Sequence, residues 1–132
     1  MIYVDTSVLL ATLLCEDRQL PASFWRQTLV SSRLLACEVW VRLHAKELTT
    51  SHTEPASALL GHIGFVEMDA RVLARTHEPF PVPVRTLDAI HLATAWYLQQ
   101  QGQPIQIATF DDRMTKAARR LGIGTMALDD TA

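Results

Sequence analysis

Apolar and polar positions along the chain switch repeatedly between a two-residue and a helical period. Ile2-Tyr3-Val4 is a short apolar run with two β-branched residues, ends at Asp5, and predicts a buried strand. Asp5-Thr6-Ser7 then offer three side chains able to cap a helix over residues 8–14. Pro21 opens a second helix bearing Phe24, Trp25 and Leu29 on one side, and 28–31 is the next strand. Ser31-Ser32 introduce a third helix over 34–48, striped by Leu35, Val39 and Leu43. The polar stretch 49–53 reads as a loop, and Thr53-Glu54-Pro55 as the start of a helix running to 63 and stopping at Gly64. Residues 65–68 form a third strand candidate, Asp69 caps a short helix over 71–74, and 76–83 is a proline-rich surface loop. The helix from Val84 to Leu98 is apolar nearly all round, which places it in the interior, and Gly102 closes it. Residues 105–108 are a fourth strand, 113–121 a last helix closed by Gly122, and 125–128 a short final strand.

Strands that alternate with helices imply a parallel sheet covered on both faces. With right-handed crossovers the expected fold is α/β: one domain over 1–132, a three-layer α/β/α sandwich on a short central sheet of four to five strands, in which neighbouring first and fourth strands would give the order 3-2-1-4-5. Ligands of such sheets bind beyond the carboxyl ends of the strands, where strand order reverses. Asp5 and Asp111 sit at two of those ends, and the start of the helix carrying Asp88 can face the same crevice.

Composition narrows the class without naming a function. A 132-residue chain, 48% hydrophobic and 20% charged, suffices for one ordered core. The longest apolar run, 7–15, is too short to span a bilayer, and no basic leader precedes the first strand, so a cytoplasmic protein is expected. Cys15 and Cys37 lie in apolar helical contexts and read as reduced core thiols. The net charge of −2 does not advertise nucleic acid, although ten of the twelve basic residues are arginine, the side chain suited to phosphate.

The chemistry lies in the acids. Taken singly, each has a structural explanation. Asp5, Asp111 and Asp112 can cap helices, Asp88 can be favoured by its helix dipole, and Glu38 can pair with Arg42 one turn on. Converging on one crevice, they would repel one another unless a cation neutralised them. An all-oxygen site suits Mg²⁺ or Mn²⁺ rather than zinc, and such ions serve phosphodiester substrates. Among other candidates, His91 reads chiefly as a packed histidine bonded to a neighbour, although a ligand or general-base role is conceivable. Arg85, Arg113 and Lys116 are candidate RNA-phosphate contacts beside the acids, with a solvated face as the plainer reading. Trp25, Trp40 and Trp96 fall on apolar helix faces and read as packing residues.

Ile2-Tyr3-Val4-Asp5-Thr6-Ser7, Ala36-Cys37-Glu38-Val39, Leu87-Asp88-Ala89-Ile90-His91-Leu92-Ala93 and Ala108-Thr109-Phe110-Asp111 resemble the successive acidic motifs of PIN-domain ribonucleases. Over essentially the whole chain the resemblance is to the VapC toxins of bacterial VapBC toxin–antitoxin pairs. It implies an endoribonuclease dependent on Mg²⁺ or Mn²⁺, with water as nucleophile and products bearing 5′-phosphate and 3′-hydroxyl. Asp5, Glu38, Asp88 and Asp111 match the family's metal-site acids, and Thr6 and Thr109 its supporting polar positions. Asp112 is an extra acid that shares the metal or, more simply, caps the last helix. The resemblance further implies an RNA substrate, a homodimer and a VapB-type antitoxin partner. Two other readings are a PIN-like protein that binds or processes RNA without being a toxin, and a phospho-receiver switch. The second lacks both the acid pair after the first strand and a lysine after the last.

Overall fold

The computed structural model describes residues 1–128. Five strands, β1 (Ile2–Val4), β2 (Leu29–Ser32), β3 (Ile63–Val66), β4 (Gln106–Ala108) and β5 (Gly124–Thr125), form one sheet. Its order is β3-β2-β1-β4-β5 with every neighbouring pair parallel, as the alternation of strands and helices predicts. The helices between them are α1 (Thr6–Leu13), α2 (Ala22–Trp25), α3 (Arg33–Ala45), α4 (Thr49–Leu60), α5 (Ala70–Leu73), α6 (Thr86–Gln100) and α7 (Asp112–Arg120).

Side-chain alternation on the short central strands assigns the two faces. From β1, Ile2 and Val4 enter a core with Val8 and Leu9 of α1, Leu35, Val39 and Leu43 of α3, and Ala56 of α4. Tyr3, between them, points to the other side and packs with Leu92 and Ala95 of α6, Ile107 of β4 and Met114, Ala117 and Ala118 of α7. The centre of the sheet is thus covered twice, and α6 is buried along Ala89 and residues 91–95 as its composition demands. Gly102 and Gly122 adopt φ of 88° and 78° just past α6 and α7, the left-handed exits that glycine allows.

Several boundaries differ from the sequence reading. Residues 49–53 are not a loop but the first turns of α4, which carries Pro55 on its exposed side. The hydroxyl-rich stretch looks like a turn because Ser and Thr compete for backbone groups. Here those groups tie the helix down: Thr49 Oγ1 meets His44 Nδ1 at 2.6 Å, and Ser51 Oγ donates to Leu48 O. The helix stops at Gly61 rather than Gly64, because Gly64 lies inside β3 opposite Val30. This moves the third strand two residues earlier, to Ile63–Val66. Residues 74–77 form a 3₁₀ turn, the last strand is the two-residue edge Gly124–Thr125, and α6 starts at Thr86 with Arg85 before it. The cysteines are not core thiols: both are exposed, Cys37 on the outer side of α3 and Cys15 at φ 51° just beyond α1. No helix among the described residues is long and apolar enough to cross a membrane.

Candidate active site

Strand register brings the first and fourth acidic motifs together. Val4 pairs with Ala108, so Asp5 and Thr109 leave the sheet side by side, and the Asp5 N–H donates to Ala108 O at 3.0 Å. Asp5 stands at the N-cap position of α1, yet its carboxylate caps nothing. Its Oδ2 accepts instead from the Thr109 hydroxyl at 2.6 Å and the Ser7 hydroxyl at 2.9 Å. Ser7 Oγ in turn accepts from the Phe110 N–H and Thr109 Oγ1 from the Asp111 N–H, each at 3.0 Å. Two hydroxyls therefore fix a buried carboxylate and fold the loop that delivers Asp111. Bonds to an ionised acceptor are stronger than neutral ones, which suits a carboxylate only 6% exposed.

Asp111, not Asp112, caps α7: its Oδ1 accepts from the N–H groups of Arg113 and Met114 at 2.8 and 3.4 Å. Asp112 is the exposed first residue of that helix, so the capping role expected of it belongs to its neighbour. Glu38 arrives from the second turn of α3. Among the described residues it makes no ion pair with Arg42. Its Oε1 accepts from the Thr6 hydroxyl at 2.7 Å and lies 2.6 Å from Nε2 of the buried His91. That imidazole meets the Tyr3 hydroxyl through Nδ1 at 2.7 Å. His91 is thus bonded to neighbours, as the plainer reading had it, but one of those neighbours is a site acid.

Asp88, in the first turn of α6, reports the electrostatics of the whole group. Its carboxyl is held above the usual aspartate range, first by desolvation and then by the charges of Asp5 and Asp111. Glu38 pushes the same way. Three acids of the other motifs, each from a separate element, therefore act on Asp88 at the carboxyl end of the sheet. As the side chains stand, no three His, Cys, Asp or Glu among the described residues are gathered tightly enough to enclose a metal ion. The donor set nevertheless fits a hard cation. Mg²⁺ keeps several waters and needs only one or two carboxylates, and the repulsion at Asp88 is what a cation would relieve.

Of the basic candidates, Arg85 and Arg113 line one cavity together with Asp88, whereas Lys116 is exposed further along α7 and does not. Sequence reasoning passed over Arg18. Its guanidinium lies 5.5 Å from the Phe110 ring centroid, donates to Phe110 O at 2.9 Å and borders a depression containing Ser7 and Asp111. Nothing in the polar stretch around Arg18 signals this, because it depends on the loop after β4. Tyr3 was readable only as a core residue. The available signal was strand alternation, which turns it away from Ile2 and Val4 and towards α6.

Comparison with known proteins gives the family. The PIN domain family matches residues 2–120. Ribonuclease VapC46 of Mycobacterium tuberculosis is 39% identical over 103 residues, 77% of this chain and 75% of its own length. Ribonuclease VapC35 of the same organism is 28% identical over 131 residues, 96% of each chain. Ribonuclease VapC47 is 28% identical over 132 residues, 95% of each chain.

Proposed function

Because the chain belongs to the PIN-domain family and is of the VapC type, we propose that it is the toxin of a toxin–antitoxin pair, an endoribonuclease dependent on Mg²⁺ or Mn²⁺. The observation that carries this reading is the action of Asp5, Glu38 and Asp111 together on Asp88 at the strand-order reversal. Like charges are assembled there at a cost to the fold, which makes sense where a cation and a phosphodiester are handled.

In this reading the four carboxylates hold the metal, with Asp5 and Asp88 as its principal ligands. Bound there, the ion would neutralise phosphate charge and lower the pKa of a water so that it can attack phosphorus. The protein's own groups do the positioning. Thr109 and Ser7 lock one oxygen of Asp5, Thr6 and His91 lock one oxygen of Glu38, and the α7 cap locks one oxygen of Asp111. Arg85 and Arg113, flanking Asp88, contact the phosphate backbone, and Lys116 extends the basic track along α7. Asp112, exposed, lies outside the ligand set. Products carry 5′-phosphate and 3′-hydroxyl ends. The protein works in the cytoplasm as a homodimer and is held inactive by a VapB-type antitoxin.

Purified protein is expected to cut RNA when Mg²⁺ or Mn²⁺ is supplied and to stop when a chelator is added. Asp5→Asn and Asp88→Asn should reduce cleavage to background while leaving the circular-dichroism spectrum unchanged. Cleavage that survives the chelator, or that either variant retains in full, removes the metal-dependent reading.

A further inference from the structure

The functional reading uses Glu38 but leaves unexplained why its carboxylate is bound by a histidine that is 1% exposed. The surroundings of that histidine are built for the purpose. The Tyr3 oxygen accepts from the backbone N–H of Ser32 at 3.2 Å, and Ser32 is the residue whose side chain caps α3 by accepting from Leu34 N. The same phenol lies 2.7 Å from His91 Nδ1, with the two rings edge to face at 76°. On its other side the imidazole presents Nε2 to Glu38 Oε1 at 2.6 Å. A single buried tyrosine on β1 thus touches the start of α3 directly. It reaches the second turn of α3 through α6.

Burial pushes the phenol far above its ordinary pKa, so it stays protonated. With its oxygen accepting from Ser32, its own proton can be directed to His91 Nδ1, 2.7 Å away. The ring proton then sits on Nε2 and is donated to Glu38, where the Thr6 hydroxyl joins it on the same oxygen. Among the described residues Oε2 of Glu38 receives no protein donor, which leaves it for a ligand.

We propose that Tyr3 and His91 are positioning residues of the site: the buried phenol fixes the tautomer and orientation of the imidazole, whose Nε2–H holds Glu38 in its metal-binding pose. Outer groups of this kind orient ligands without touching substrate, and their loss typically weakens metal binding or activity by about 10- to 100-fold. The idea rests on the metal-site reading above and adds residues to it.

Two measurements on metal-free protein, without RNA, test it. Ring nitrogen-15 shifts of His91 should show an unprotonated, hydrogen-bonded Nδ1 and a protonated Nε2. A proton on Nδ1 overturns the assignment. Titration with Mn²⁺ should give about 10-fold weaker binding for Tyr3→Phe, which removes one hydroxyl and keeps the ring. His91→Gln, whose amide N–H can replace Nε2–H, should bind better than His91→Leu. Cleavage assays on the same variants should fall in the same order. If wild-type protein neither binds Mn²⁺ nor cuts RNA, the metal-nuclease reading fails, while the nitrogen shifts still decide the hydrogen-bond relay. If wild-type protein binds and cuts, and Tyr3→Phe matches it in both, the positioning role alone is overturned.

Discussion

Asp88 is half-buried in the first turn of α6 and is surrounded by the charges of Asp5, Asp111 and Glu38. Its raised pKa means that the folded protein binds this proton more tightly than the unfolded chain does. Ionisation of Asp88 therefore costs stability. The cost is absent below the ordinary aspartate value and complete once pH has risen past the elevated folded value. Asp88→Asn should accordingly raise Tm at neutral pH in chelator by a few degrees, with the difference from wild type shrinking as the buffer is acidified through the carboxylate range. Thermal melts at several pH values check this, and a lower Tm for the variant at neutral pH would show that the charge is not strained. The same substitution is expected to abolish cleavage, the trade between stability and activity that functional sites commonly show. Asp5 was legible in the sequence as an acid at a strand end. Its hydroxyl partners were not, since Thr109 is 104 positions away and Ser7 looked like a spare cap.

At the scale of elements, α7 shows how one residue serves fold and site together. Asp111 caps the helix through Oδ1, and its other oxygen faces no backbone donor among the described residues. Substitutions can separate the two roles. Asp111→Asn keeps an acceptor at the cap and should hold stability near wild type while lowering activity. Asp111→Ala should lose activity and also about 1 kcal/mol of stability. Asp112→Ala should change neither by much, since Asp112 is exposed and its side chain is not the cap. Urea unfolding and RNA cleavage measured side by side distinguish these outcomes. A large loss of stability on replacing Asp112 would reverse the assignment of the cap. The order of elements was readable from periodicity, and their ends less so. The α4 start was hidden by its hydroxyl side chains, and the start of β3 by a glycine taken for a helix stop. In both places packing overrode local propensity: Ala56 is fully buried against the core and Ile63 pairs with Leu29.

For the whole molecule, a net charge of −2 means that attraction to a polyanion has to come from local arrangement. Arg85 and Arg113 beside Asp88 supply one such cluster, and Arg18 beside Asp111 another. Arg113→Glu and Arg85→Glu should raise KM for RNA with a smaller effect on kcat. Each should also flatten the dependence of binding on salt by roughly 0.7 in log–log slope per lost phosphate contact. Binding measured across a salt series tests this, and slopes equal to that of wild type would place the RNA elsewhere.

The alternation of strands and helices, the parallel sheet and the four acids at strand ends and helix starts are legible in the sequence alone. These follow from short-range rules, the two periodicities and the helix caps, together with the handedness of crossovers, none of which requires knowing what touches what. What each acid is bonded to follows from packing. It turned Asp5 from a cap into a carboxylate clamped by two hydroxyls, moved the α7 cap from Asp112 to Asp111, replaced Arg42 by His91 and Thr6 as the partners of Glu38, and brought Tyr3 behind His91. A hydrogen bond depends on a few tenths of an ångström between groups as many as 104 residues apart, and packing sets that distance.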